Sequence, residues 1–293
     1  MLDFRIETFI TVCEFMNFTK AADKLSITQP AVSQHIHYLE DEYETKLFEF
    51  IGKKMKLTEA GKYLFDIAVT MKHDEIHLKE QIKSGLNENK NITFGATLTI
   101  GEFLIPKQVC NYLKENHKVS LKMLVANTSE LLEKLDKGII DFAVVEGYFT
   151  KNQYDHRLYS RENYIAVCAA KHKFKKQPEL VGDLFDETII VREDGSGTRE
   201  ILEKTLEGKN YSLSDFKNKV EISNMNVIKY LTKQDCGITF LYEIAVKKEL
   251  QEKTLRKINL KDLKIQHDMT FIWRKNSVFT DYYDKLFEIF KNF

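Results

Sequence analysis

Residues 26–40 read SITQPAVSQHIHYLE. Val32, Ile36 and Leu39 recur at i, i+4 and i+7, one apolar stripe of a helix that faces a core. The opposite side carries Gln29, Ser33, Gln34 and His37. These are short or neutral polar groups, not the Glu and Lys mixture of an ordinary solvated face. Thr28 is placed to N-cap this helix, and Pro30 sits in its first turn, where no intrahelical N–H is lost. Such a face suits base edges: Gln pairs with adenine, and Ala31 meets a thymine methyl. The competing reading is a helix buried on both sides or against another domain.

The flanks support the first reading. Upstream, Ile6, Phe9, Ile10, Cys13 and Met16 share a helical stripe. Thr19 is expected to cap a second, short helix with Ala22 and Leu25 inward, and the small Ala21-Ala22 pair permits close approach. Ser26-Ile27 is then a tight connection. Helix, short turn, helix is a helix-turn-helix, whose second helix offers its N-terminal residues to the major groove. Downstream, Leu47, Phe48 and Phe50, a GKK turn and a returning MKL make a short wing, with Lys53, Lys54 and Lys56 placed against phosphate. Thr58 caps the next helix, Glu59 favours its positive end, and Gly61 is tolerated there.

The order of these pieces resembles the LysR-type transcriptional regulators. Phe18, Ala21-Ala22, Leu25, residues 28–33 (TQPAVS), Ile36 and Leu39-Glu40 follow that family's pattern. Leu47-Phe48 and residues 57–61 (LTEAG) continue it. The resemblance implies an all-α winged helix-turn-helix N-terminal domain, followed by an α/β two-lobed periplasmic-binding-protein-like effector domain. It implies double-stranded operator DNA and a small effector as partners, and a homo-oligomer, dimer or tetramer. The expected DNA contacts are Thr19, Lys20, Thr28, Gln29, Pro30, Ala31, Ser33, Gln34, His37, Lys53, Lys54 and Lys56. The family usually carries basic residues where this chain has Gln34, His37 and Tyr38, and Arg where it has Phe50. Residues 1–65 hold eight Lys and Arg against ten Asp and Glu, a net of −2. The acids cluster in EDEYE, beyond the groove-facing end. A headpiece without basic excess predicts weak binding per copy and reliance on oligomerisation. Protonating His35 or His37 is expected to add affinity at low pH.

Length and composition fit this layout. A chain of 293 residues suggests two or three domains. The hydrophobic fraction of 43% supplies packed cores, and 44 basic residues balance 44 acidic ones, so there is no global polyelectrolyte signal. Cys13, Cys110, Cys168 and Cys236 are far apart and form no C-x-x-C, which favours reduced thiols over a disulfide scaffold or zinc site. The N-terminus lacks a signal-peptide pattern, and no apolar run reaches the roughly 18 residues that span a membrane. A cytoplasmic protein with no membrane partner is expected.

From Glu59 to about Gly85 no breaker interrupts the chain. Leu64, Ala68, Met71, Glu75, Leu78 and Ile82 follow a/d spacing, spoiled only by Glu75, and a long helix with one apolar seam wants a partner helix. HDEIH, residues 73–77, is not the zinc motif H-E-x-x-H and reads as a solvated helix face. Gly85 and NENKN read as helix stop and linker. Beyond Ile92 short apolar strands alternate with helices, in two runs of similar outline, which means parallel βαβ units in two lobes. Residues 100–116 are expected as one helix bent at Pro106. NYIAVCAAK and DMTFIWRK are extra strands that carry the chain between lobes, and a final helix returns to the first. The boundaries are then 1–58 for the DNA-binding domain, 59–89 for the linker and dimerisation helix, and 90–293 for the effector domain. Lobe I takes 90–161 and 268–293, and lobe II takes 162–267.

Ligands in such folds sit where strand carboxyl ends meet helix N-termini. The candidate residues are Thr97, Leu98, Thr99, Asn127, Thr128 and Glu146 in lobe I. In lobe II they are Arg192, Glu193, Ser196, Gly197, Thr198 and Asn224. The stretch REDGSGTR, residues 192–199, is the most telling: glycines free the backbone, hydroxyls cap, and a helix N-terminus supplies a positive end. Arg192 and Arg199 add charge-assisted bonds. A small anionic metabolite is implied. The bland alternative is that Gly195 and Gly197 merely make a tight turn. Neither loop is a P-loop or G-x-G-x-x-G, and Ser196 lacks the G-x-S-x-G elbow, so neither a cofactor nor an enzyme is expected. A plain solute-binding protein is opposed by the helix-turn-helix. Residues 97–106 and 192–199 look closest to the branch holding the Calvin-cycle operon and sulfur-assimilation regulators.

Overall fold

A computed structural model describes residues 2–52, 54–83, 90–117 and 119–292. Helices α1 (Phe4–Phe15), α2 (Phe18–Leu25) and α3 (Gln29–Glu42) close around Phe9, Val12, Ala21, Val32, Ile36 and Leu39, all buried. Thr28 caps α3, its hydroxyl accepting from the Ala31 N–H at 3.4 Å, with Pro30 in the first turn. Two details differ from the sequence reading. The α1 stripe ends before Met16, which turns into the left-handed region and is exposed. The cap of α2 is Asn17, not Thr19: its side chain accepts from the Lys20 N–H at 3.0 Å, and Asn outranks Thr at this position.

Strands β1 (Phe48–Ile51) and β2 (Lys54–Leu57) form the wing, an antiparallel hairpin. Met55 and Leu57 pack toward the headpiece core while Lys54 and Lys56 point out. Lys53 lies outside the described residues. Glu40, from the acidic cluster, is buried and structural: it accepts from Lys46 Nζ at 2.6 Å and from the Leu47 N–H at 3.0 Å. It clamps the end of α3 to the start of the wing.

Helix α4 (Glu59–Lys83) begins on the Thr58 cap, whose hydroxyl accepts from the Gly61 N–H at 2.9 Å and donates to Lys46 O at 2.6 Å. Gly61 is required here, beyond being tolerated, because a Cβ would stand 2.1 Å from Leu47 O. The helix stop at Gly85 and the linker through residue 89 fall outside the described residues, whereas Lys90 and Asn91, expected as the end of that linker, already pair as the first residues of a strand. Within HDEIH, His73, Asp74 and His77 dock on the effector domain and only Ile76 is exposed. Asp74 accepts from Ser277 Oγ at 2.7 Å and the Val278 N–H at 2.9 Å, and His73 Nε2 meets Gly138 O. The His77 ring meets Phe279 edge-on at 4.7 Å and Tyr282 at a tilt at 4.4 Å. A polar stripe looks the same in sequence whether it meets water or a polar interface, which is why the pattern misled.

The remaining strands are β3 (Lys90–Ala96), β4 (Val119–Val125), β5 (Phe142–Val145), β6 (Tyr154–Ala169), β7 (Thr188–Val191), β8 (Asn218–Glu221), β9 (Ile238–Tyr242), β10 (Leu255–Ile258) and β11 (Ile265–Arg274). They form one nine-stranded sheet in the order β4-β3-β5-β11-β6-β9-β7-β8, with β10 on β6. The parallel triplet β4-β3-β5 is repeated as β8-β7-β9. The long antiparallel pair β6 and β11 joins the triplets, with an irregularity between Met269 and Thr270. NYIAVCAAK is thus only the second half of β6, whose first half alternates polar residues on an exposed face. β10 was not foreseen, its LRKI being half charged.

The helices are α5 (Pro106–Glu115), α6 (Thr128–Asp136), α7 (Gly197–Glu207), α8 (Met225–Lys233), α9 (Lys247–Gln251) and α10 (Thr280–Asn292). Pro106 does not bend one long helix. A π turn over Ile100–Leu104 closes with the Ile105 N–H on Ile100 O at 2.9 Å, and α5 starts afresh at Pro106, which has no N–H to place. α10 returns to the first triplet, where Phe290 packs on Phe94, Phe142 and Tyr112.

Candidate DNA interface and interlobe cleft

On the headpiece, Thr19, Lys20, Thr28, Gln29, Pro30, Gln34 and His37 are exposed, and Ala31 and Ser33 half-buried. They share a surface with Lys54 and Lys56 of the wing only in being uncovered; Gln29 Nε2 donates to Ser33 Oγ at 2.9 Å, which holds both side chains along α3. His35 is not available: its Nδ1 pairs with Thr8 Oγ1 at 3.0 Å and its ring meets Phe4 edge-on at 4.9 Å. It serves the α1–α3 contact, whereas His37 is exposed, with its Nδ1 3.5 Å from Glu40 Oε2. Tyr38 lies under the Arg5 guanidinium, 3.8 Å from its ring centre. A cation therefore returns to that position from α1, tempered by the Asp3 carboxylate at 2.8 Å.

The second site lies where the triplets face each other. Thr97, Leu98 and Thr99 follow β3, and Glu146 and Gly147 follow β5. The 192–199 loop follows β7 and opens α7. Glu146, 1% exposed, bridges the seam: its Oε1 accepts from Thr198 Oγ1 at 2.7 Å and from Thr99 Oγ1 at 3.4 Å. Thr128 Oγ1 donates to the Glu146 carbonyl at 2.8 Å, and the Ser129 N–H reaches Gly195 O at 3.4 Å. Beside them the Tyr148 N–H donates to Glu200 at 3.2 Å, and Lys204 Nζ sits 3.4 Å over the Tyr148 ring.

The glycines now separate by role. Gly195, at φ +79°, makes the turn. Gly197 permits close approach, since a Cβ on it would stand 2.5 Å from Glu146 O, and one on Gly147 would stand 2.6 Å from Gly197 Cα. The two lobes thus touch backbone to backbone, which turn chemistry alone does not require.

Burial pushes the Glu146 carboxyl above the ordinary carboxylate range, against the pull of Thr198, Arg192 and Thr99 toward its charged form. Burial, and then the Glu146 charge, also push the Tyr164 and Tyr242 phenols well up, so both stay neutral donors. Arg192, 2% exposed, spends Nε and one terminal nitrogen on Glu193 at 2.8 and 2.7 Å. Arg199 is already paired. Its guanidinium is taken by Glu203 at 2.7 Å and Glu221 at 2.9 Å within lobe II. Asn127 caps α6 and abuts Gly195, whereas Asn224 is exposed and caps α8 through the Val227 N–H at 3.1 Å. Tyr164 and Tyr242 were missed. Applying the strand-end rule to β9 as well as β5 would have found Tyr242, which occupies in lobe II the strand end that Glu146 follows in lobe I. Among the described residues no group of three His, Cys, Asp or Glu is arranged to hold a metal ion, and no helix is long and apolar enough to cross a membrane.

Two known families match the chain. The LysR substrate binding domain matches residues 87–292, and the bacterial regulatory helix-turn-helix protein, lysR family, matches residues 5–62. The transcriptional regulator CysL of Bacillus subtilis is 28% identical over 273 residues, covering 91% of this chain and 89% of that protein. A probable RuBisCO transcriptional regulator of Cyanidium caldarium is 26% identical, covering 87% and 82%. Full-length LysG from Corynebacterium glutamicum, solved with bound effector Arg, shares the fold at a TM-score of 0.70 and 16% identity, covering 99% of this chain and 98% of that one. The Synechocystis CcmR regulatory domain in complex with 2-PG does so at 0.61 and 17%, covering 70% and 99%.

Proposed function

Because the chain belongs to the LysR-type family of transcriptional regulators, whose members bind operator DNA and small-molecule effectors and form oligomers, we propose the following division of labour. Residues 1–58 hold DNA, residues 59–89 join copies of the chain, and residues 90–293 bind the effector between lobes. The exposed face of α3, from Thr28 to His37, reads base edges in the major groove. Lys20, Lys53, Lys54 and Lys56 hold phosphate. A small anionic metabolite binds at the seam, among Thr97, Thr99, Glu146, Arg192, Ser196 and Thr198, and shifts how the lobes close. That shift changes the spacing or bend of paired headpieces on an operator.

The observation that carries the effector half of this reading is the buried polar seam. Polar atoms there are out of water and short of partners, which is costly in a site that binds nothing. The solved relatives named above hold small molecules, which supports the same use. The cleft is read as binding without turnover: the relatives are transcriptional regulators, and the buried Ser196 hydroxyl donates to no base. We read the cytoplasm as the compartment in which such a regulator works on DNA.

The test is footprinting of the full chain on its upstream DNA, with oxyanion and carboxylate metabolites added in turn. A ligand that binds should change the footprint or the affinity, and Gly197→Ala, which wedges the seam, should abolish that response. An unchanged footprint and unchanged transcription with every ligand that binds would sink the switch.

A further inference from the structure

Five buried polar atoms have no hydrogen-bond partner around the seam: Thr97 Oγ1, Glu146 Oε2, Arg192 Nη1, Ser196 Oγ and Tyr242 OH. Their residues are each 2% exposed or less. The set has an uneven chemistry. The guanidinium nitrogen only donates, the three hydroxyls donate or accept, and an ionised carboxylate only accepts. Four of the five therefore suit any oxyanion. Glu146 Oε2 does not, unless a proton lies between it and the ligand.

We propose that this cleft selects an oxyanion that brings its own proton, such as hydrogen phosphate, a phosphomonoester or hydrogen sulfite, and turns sulfate away, with Glu146 as the filter. The proposal rests on reading the seam as the effector site. It follows from where the carboxyl stands. Glu146 Oε1 already accepts two hydroxyls, from Thr198 and Thr99, so Oε2 is left to face a ligand. The Arg192 charge that acts on Glu146 is itself matched by Glu193. The nearby phenols of Tyr164 and Tyr242 are neutral. No spare cation among these neighbours offsets a second anion. An oxyanion whose last proton leaves near neutral pH donates to Oε2 and leaves no lone pair opposed to another. Sulfate has nearly the size and shape of hydrogen phosphate but no proton at neutral pH. Against the ionised Glu146 it sets lone pair against lone pair, and it is held only if that carboxyl, which burial already pushes upward, takes up a proton of its own, a cost that an oxyanion carrying its own proton does not meet. Sites built to accept from a ligand hydroxyl reject the analogue lacking it by factors up to roughly 10⁴.

Isothermal titration of the full-length chain near pH 7 with inorganic phosphate, methyl phosphate, sulfite and sulfate tests this. At least one of the first three should bind 100-fold or more tighter than sulfate, on the order expected for a lost buried hydrogen bond to a charged group. Which of them binds separates a phosphorylated source from a sulfur one. Glu146→Gln, whose amide can donate as well as accept, should raise sulfate affinity and collapse that ratio toward unity. Wild-type binding of sulfate within about threefold of the others overturns the filter, and that comparison needs no variant. So does a ratio that survives Glu146→Gln, or no binding by any of the four. If the anions bind but Thr97→Val and Ser196→Ala leave every affinity unmoved, they bind elsewhere. In that case the effector-site reading fails along with the filter.

Discussion

Gln34 stands exposed on α3 between Ala31 and Tyr38, where the family pattern carries a cation. Arg5, seated on Tyr38, restores one positive charge nearby, but among the described residues nothing comparable serves Gln34. Gln34→Arg should therefore tighten binding several-fold on specific and unrelated DNA alike. It should also steepen the slope of log K against log salt by about 0.9, one more counterion released. Fluorescence anisotropy across a salt series reads both, and an unchanged slope would mean that this face does not lie on the backbone. At this scale the sequence was legible where one residue has one job. Thr28 caps and Pro30 starts α3 because those roles need only the local backbone. His35 was misplaced and the burial of Glu40 went unforeseen, since their partners Thr8, Lys46 and Leu47 are reached through the fold. Glu146 was foreseen as a lining residue, but its bond to Thr198, 52 positions away, depends on how the lobes meet.

Among elements, α4 has two faces with different fates. His73, Asp74 and His77 dock on the effector domain, while Met71, Leu78 and Ile82 stay 53%, 47% and 68% exposed. Glu75, which interrupts that seam, is held by Lys79 at 2.8 Å and the Leu2 N–H at 3.2 Å. An apolar stripe left open along a helix of this length suits a second copy of α4. The double substitution Met71→Lys and Leu78→Lys should weaken self-association at least tenfold. Because both side chains are exposed, the melting temperature of the subunit should move by only about 2 °C. Sedimentation velocity and a thermal melt together check this, and an intact oligomer would assign the seam another purpose. Strand and helix order were legible because period and length separate them. The break at Pro106 was not, because a π turn has no pattern of its own.

Across the whole molecule, the repeated triplet was visible as a repeated outline, whereas the docking of α4 was invisible. That docking has a pH signature. Burial, with Arg274 next, lowers His73 to about 4 from 6.5. An undocked helix takes up a proton that the docked helix refuses, so docking is at full strength above pH 6.5 and weakens as pH falls toward 4. The loss amounts to at most about 3 kcal/mol. Hydrogen exchange over residues 70–78 should accelerate across that window, and His73→Gln should flatten the dependence. Exchange independent of pH-corrected rate would contradict the assignment. The Thr58 and Gly61 contacts with Lys46 and Leu47 carry a mechanical consequence. They weld the first turn of α4 to the segment entering the wing, so any tilt of the helix at His73 would carry the headpiece with it. From residue 73 to residue 59 the shaft is about 21 Å long at 1.5 Å per residue. A tilt of about 10° at the anchor sweeps the wing by roughly 4 Å, close to the roughly 3.4 Å that separates successive base pairs.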